Sequence, residues 1–135
     1  MSYYLKSNGR FCRVDQDSFI TCDQNFSGAD PFNKWETEEK GEYTIGLGGA
    51  ACNVGDGSVW CNPGVNRENR EQFTFERVGA HYTIRVDGIF CCLRDNLLKC
   101  DRATGSSNKC QFEIKKIADR NTSPDEIGAH NLTDV

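Results

Sequence analysis

One segment of the chain is written three times. It opens as Tyr3-Tyr4-Leu5-Lys6-Ser7-Asn8-Gly9-Arg10-Phe11-Cys12 and returns as Tyr43-Thr44-Ile45-Gly46-Leu47-Gly48-Gly49-Ala50-Ala51-Cys52. It returns again as Tyr82-Thr83-Ile84-Arg85-Val86-Asp87-Gly88-Ile89-Phe90-Cys91, with Tyr, Gly and Cys at constant spacing. The match runs on through a polar turn (Asp15-Gln16-Asp17, Gly55-Asp56-Gly57, Arg94-Asp95-Asn96) into a short apolar run (Ile20-Thr21-Cys22, Val59-Trp60-Cys61, Leu98-Lys99-Cys100). A longer polar loop then leads to a last run headed by an aromatic residue: Trp35-Glu36-Thr37, Phe73-Thr74-Phe75 and Phe112-Glu113-Ile114. One unit of about 40 residues cannot bury its own apolar face, so three must share a core.

Within each unit the apolar residues alternate, which is the period of a half-buried strand and not of a helix. The inward positions are Tyr3, Leu5, Cys12, Val14, Ile20, Cys22, Trp35 and Thr37, and their counterparts in the other units. Gly-, Asn- and Asp-rich turns separate the runs, as hairpins require. Twelve strands fit poorly in one flat sheet, closure removes exposed edges, and three blades are too few for a propeller. The expectation is an all-β chain of twelve strands in three pseudo-symmetric four-stranded repeats: a β-trefoil, with a six-stranded closed barrel capped by three hairpins. The domain spans 1–117, with repeats at about 2–41, 42–80 and 81–117, and an acidic flexible tail follows at 118–135.

The segments Leu5-Lys6-Ser7-Asn8-Gly9-Arg10-Phe11 and Ser18-Phe19-Ile20-Thr21-Cys22-Asp23 resemble a fascin-type repeat over roughly residues 3–117. As a single domain, the chain is similar to the hisactophilin-like members of that group. The resemblance implies a cytoskeletal role, binding filamentous actin. With only His81 and His130, it implies no histidine-driven pH switch. The Gln-x-Trp signature of ricin-type lectins is absent: the matching triplets are Asn33-Lys34-Trp35, Glu71-Gln72-Phe73 and Cys110-Gln111-Phe112.

Six of the eight cysteines fall at two equivalent inward positions: Cys12, Cys52 and Cys91, then Cys22, Cys61 and Cys100. They read first as small hydrophobes, free thiols in the core. Disulfides across a hairpin, Cys12 to Cys22 for example, suit the pattern but not a reducing cytosol. Zinc is disfavoured, because no Cys-x-x-Cys pair or nearby histidine completes a four-ligand set. Cys92 and Cys110 break the symmetry. Cys92 follows an inward residue and is expected outside, as an oxidisable thiol. The opening Met1-Ser2-Tyr3-Tyr4-Leu5-Lys6 does not read as a signal peptide, so the expected compartment is cytoplasmic and the sequons at Asn25, Asn121 and Asn131 are accidental.

Net charge is −4, which argues against a nucleic-acid partner, and no apolar run is long enough to span a membrane. Residues 79–117 form the only basic segment, at +3. Strand alternation turns Arg85, Arg94 and Lys99 outward, with Arg102 and Lys109 in the following loop, so these five form the expected face for acidic actin filaments. The alternative is carbohydrate binding, with Trp60 as the stacking platform, although Thr21 and Lys99 hold the matching positions in the other units. Glycans are then the partner. No Cys-His or Ser-His pairing is specific, so the chain is expected to bind rather than catalyse, with no cofactor and no metal. The terminal Thr133-Asp134-Val135 fits a peptide that adds a strand to a PDZ domain.

Overall fold

Alternating burial along each apolar run carries over into strands. The computed structural model describes residues 2–36, 41–48, 50–62, 71–117 and 132–134. In these, the first unit supplies β1 (Ser2–Ser7), β2 (Arg10–Val14), β3 (Ile20–Gln24) and β4 (Phe32–Glu36). The second supplies β5 (Glu42–Leu47), β6 (Ala50–Gly55), β7 (Ser58–Asn62) and β8 (Phe73–Val78). The third supplies β9 (His81–Val86), β10 (Ile89–Arg94), β11 (Leu97–Arg102) and β12 (Glu113–Ile117), and β13 (Leu132–Asp134) follows. The β1–β2 and β9–β10 hairpins turn on Asn8-Gly9 and Asp87-Gly88. All four residues have positive φ, the geometry that matches the right-handed twist of paired strands.

The described pairings are antiparallel and join all thirteen strands into one sheet. Seven strands close on themselves in the order β10-β9-β8-β5-β6-β7-β11, with β11 returning to β10. The remaining strands continue from β11 through β3, β2, β1 and β12 to β13, while β4 bridges β1 and β5. The all-β class and a closed barrel are thus present, but a six-stranded barrel within a twelve-strand β-trefoil is not. The hairpins are not separate caps. The Cys100 N–H donates to Gly57 O at 2.6 Å beside the Lys99–Ser58 pairing, which draws β7, β10 and β11 into the ring. Matching bonds run from Cys22 N–H to Asn96 O and from Cys61 N–H to Ser18 O, both at 2.7 Å, so each hairpin leans on the next.

Leu5, Ile45 and Ile84 take equivalent buried places in one core with Ile20, Val59 and Leu98. The aromatic residue that heads the last strand of each unit is set by register. Tyr3, Tyr43 and Tyr82 pair with Phe32, Phe73 and Phe112, all almost fully buried. In the first unit this residue is therefore Phe32 and not Trp35. Thr37, expected inward, lies outside the described residues.

The cysteines correct the expectation of free thiols. Cys12, Cys52 and Cys91 are buried as expected, but each lies directly opposite Cys22, Cys61 or Cys100 in the ladder, and each pair is a disulfide. Facing the same way at the same register, the sulfurs cannot avoid one another. Cys92 does point to the other face, yet it is covered by the loop after β11 and joined to Cys110, leaving it 2% exposed. No free cysteine exists among the described residues. No helix there is long and apolar enough to cross a membrane.

Candidate functional site

In every unit the loop before the last strand is tied back to the first hairpin strand, by a different chemistry each time. In the first unit, Asp30 Oδ2 accepts from the Val14 N–H at 2.7 Å, and the Asp30 N–H donates to Cys12 O at 3.1 Å. In the second, Asn53 Oδ1 accepts from the Glu71 N–H at 2.7 Å. Burial, and then the negative charge of Asp87, push the Glu71 carboxyl above the usual carboxylate range. In the third, the tie is the covalent Cys92–Cys110 bond. The tied residue sits two positions before Phe32, Phe73 or Phe112 in each case.

The covalent tie shapes the surface around it. From β11 the chain runs through Gly105 and Ser106 into a single 3-10 turn, Asn108–Cys110, which the Ser107 Oγ caps by accepting from the Lys109 N–H. Two clefts, each about 360 Å³, open against this loop and meet at His81 and Gln111, which line both. One is walled by Glu76, Val78, Thr83, Phe90, Gly105 and Ser106. The other is walled by Lys6, Ser7, Asn8, Ala80, Asn108 and Glu113. A Cβ on Gly105 would lie 2.7 Å from Phe90 Cε1, so only glycine lets the loop rest on that ring. The Ser7 hydroxyl donates to Gln111 O at 2.8 Å and fixes the residue between the clefts.

The carboxylates at the clefts are engaged by cations. Arg85 meets Glu76 at 3.2 Å and its guanidinium lies over the Phe90 ring, 5.6 Å from the centroid. Lys6 and Lys115 meet the two oxygens of Glu113 at 3.9 and 3.6 Å. Half-buried Phe90 thus supplies an apolar wall, while His81, Gln111, Ser106, Thr83 and Asn108 supply polar groups. That is the composition of a small-molecule site: apolar surface with a few convergent polar groups.

The five cations expected to bind a partner share the β10–β11 hairpin, its following loop and neighbouring β9. Arg94 and Arg102 are exposed, as is Lys109 on the 3-10 turn, and Lys99 is half-buried. Arg85 is engaged by Glu76, and Arg94 meets Asp101 at 3.4 Å. Trp60 is half-buried on the outer face of β7, its Nε1 only 2.7 Å from where a Gly55 Cβ would stand, and it lines neither cleft. Thr133 and Asp134 lie in β13, which pairs along β12 through Lys116 and Lys115, so this part of the tail is already a paired strand. Val135 and His130 lie outside the described residues, as does the stretch 118–131.

Reasoning from sequence passed over Phe90, Gln111 and Glu76, and weighed His81 only as a catalytic group, because no motif in the chain joins the four. The signal that marks them is the broken symmetry itself. Cys92 and Cys110 occur in one unit alone, and a covalent tie there distinguishes that loop from the other two.

No family model and no curated protein matches the sequence. Among solved structures, the chain is similar to a GlcNAcα1-4Gal-releasing endo-β-galactosidase from Clostridium perfringens, with a TM-score of 0.68 and 11% identity. The match covers 84% of this chain and 32% of the enzyme, so the chain spans about a third of that protein's length. At this identity the likeness is one of fold. It corrects the fascin- and hisactophilin-like reading: the similar structure is a domain of a carbohydrate-active enzyme, and the β-trefoil expected with that likeness gives way to a closed seven-stranded antiparallel barrel with further strands. The actin partner loses its basis with the likeness that implied it.

Proposed function

We propose that the protein is a non-catalytic carbohydrate-binding module whose site is the cleft between β8, β9, β10 and the loop held by Cys110. The observation that carries this reading is the grouping of the Phe90 ring with His81, Gln111, Glu76 and Ser106 around one opening. Sugars present apolar C–H faces and a rim of hydroxyls, and such a wall with neutral donors and acceptors answers both. Fold similarity to part of an endo-β-galactosidase supports the same class of ligand. The carboxylates of the two clefts, Glu76 and Glu113, are each engaged by cations, whereas a glycosidase needs one carboxyl as proton donor. Four disulfides support an oxidising working environment over the reducing cytosol expected from the sequence.

A glycan array probed with the disulfide-intact protein, beside Gln111→Ala and Phe90→Ala, tests the reading. Wild type is expected to retain a defined set of neutral glycans, and both variants are expected to lose it while keeping the native circular dichroism spectrum. Absence of any glycan signal, or equal signal from all three proteins, would sink it.

A further inference from the structure

The second cleft has no role in a site for one sugar ring. It is as large as the first, about 360 Å³, and the two lie side by side, sharing His81 and Gln111 in their walls. Each alone is near the low end of the roughly 300–1,000 Å³ that small-molecule sites occupy. Its wall repeats the pattern of polar groups beside an engaged carboxylate: Asn8, Asn108 and Ser7 stand with Glu113, whose oxygens Lys6 and Lys115 engage. Among the described residues, no hydrogen bond joins the side chains of His81, Gln111 or Asn108 to other protein groups, so these donors and acceptors are open to a ligand.

We infer that the two clefts form one extended site for an oligosaccharide of at least two rings, with a neutral ring against Phe90, the next beside Asn108 and Glu113, and His81 with Gln111 at the linkage between them. This rests on the carbohydrate-binding reading and narrows it. A chain lying across both clefts bonds to groups that a single ring cannot reach at once, and the second contact comes at little further cost in orientational freedom. In the cleft at Phe90, Arg85 is already paired with Glu76, so a sulfated or carboxylated ring there would meet a carboxylate without a spare cation, whereas two lysines face the one carboxylate of Glu113 in the other cleft. The ring against Phe90 is therefore the uncharged one.

Isothermal titration of the intact protein with galactose, the disaccharide GlcNAcα1-4Gal and a tetrasaccharide ending in that unit decides the matter. Affinity is expected to rise at least tenfold from galactose to the longer ligands, and to change little between low and high salt. Asn108→Ala is expected to erase most of that rise. Equal affinity for galactose and the tetrasaccharide would overturn the extended site while leaving a one-ring site standing. A rise that survives Asn108→Ala places the extension elsewhere and also overturns the inference. No heat with any of the three sugars, together with a silent glycan array, overturns both readings.

Discussion

In the first and third units a cation lies over an aromatic ring at the same point of the opening hairpin. Lys6 sits 5.3 Å from the Phe11 centroid, and Arg85 sits 5.6 Å from that of Phe90. Both pairs face each other across the ladder, Lys6 with Phe11 and Arg85 with Phe90. What differs is the loop above them. The first unit's 3-10 turn, Phe26–Gly28, sets Phe26 edge-on to Phe11 at 5.2 Å and to Tyr4 at 5.4 Å, and Ala29 completes a small apolar cluster. Burial there pushes the Tyr4 phenol above its ordinary pKa. The third unit's turn carries Asn108, Lys109 and Cys110 and has no aromatic residue to offer, so the loop meets the Phe90 ring only through Gly105 and leaves it half-buried. One architectural position thus serves stability in one unit and, in the proposed reading, recognition in another. The residue that the loop brings down decides which.

The largest expected effect breaks or keeps that contrast. Phe11→Ala removes a ring packed on two others, and by large-to-small core precedent costs about 3 kcal/mol, read by urea unfolding. It should leave glycan affinity unaltered in the folded protein. Phe90→Ala, at a half-exposed ring, should cost about half as much stability and abolish binding. Equal stability costs, or a Phe90 variant that still binds, would dissolve the contrast.

Next come the cross-links. Closing a loop of about 15 residues is worth about 3 kcal/mol in the chain-entropy account. Cys12 and Cys22 are joined across a ladder that already holds them, whereas Cys92–Cys110 holds a loop that no strand pairing restrains. Replacing Cys12 and Cys22 by Ala should lower the melting temperature and spare binding. Replacing Cys92 and Cys110 by Ser should lower both. Thermal melts beside glycan titrations separate the two. If the Cys92/Cys110 variant binds as well as wild type, the loop needs no tether and the cleft is shaped otherwise.

These contrasts show what was legible beforehand. The repeat, the all-β class and the inward faces of Cys12, Cys22, Leu5, Ile45 and Ile84 follow from spacing and alternation alone. Register does not. Whether Cys12 lies opposite Cys22 depends on the number of residues each strand gives to a turn or bulge, and the ladder does shift between Phe11 and Cys12. The same dependence moved the leading aromatic from Trp35 to Phe32. The proposed site was harder still, since His81 and Phe90 share one hairpin but Gln111 reaches them only through the distant Tyr82–Phe112 bridge.

A smaller effect is expected from two glycines in the contrasting loops. At Gly28 a Cβ would crowd the Gln24 side chain, which can turn away by giving up its bond from Nε2 to Asp23 Oδ1, so Gly28→Ala should cost about 0.5–1 kcal/mol. At Gly105 the neighbour is the Phe90 ring, which Arg85 backs, and overpacking of this kind costs about 1–3 kcal/mol. Gly105→Ala should therefore weaken glycan binding severalfold as the ring or loop shifts. A Gly105 variant that binds normally would mean that the ring's position does not matter.

The subtlest difference lies one residue after the first cysteine of each unit, where Arg13 and Cys92 occupy matching places. Arg13 grips Asp23 through Nε at 3.1 Å and a second nitrogen at 3.2 Å, whereas Cys92 is bonded to Cys110. The hydrogen bond from Arg13 holds the Asp23 carboxyl below the usual carboxylate range, with burial opposing it. A folded-state pKa below the unfolded one stabilises the protein above the unfolded value near 3.9, and that contribution is lost as pH falls through the folded value. The side chains are about a third exposed, so the pair is worth no more than about 0.5–1 kcal/mol. Asp23→Asn should remove that amount at pH 7 and flatten the acid limb of a stability–pH curve. The Cys92–Cys110 bond carries no proton, so replacing it should shift the whole curve downward without changing its slope. Urea midpoints measured from pH 2 to pH 7 for both variants read the two behaviours side by side, and an unchanged acid limb in Asp23→Asn would show that this pair does not set it.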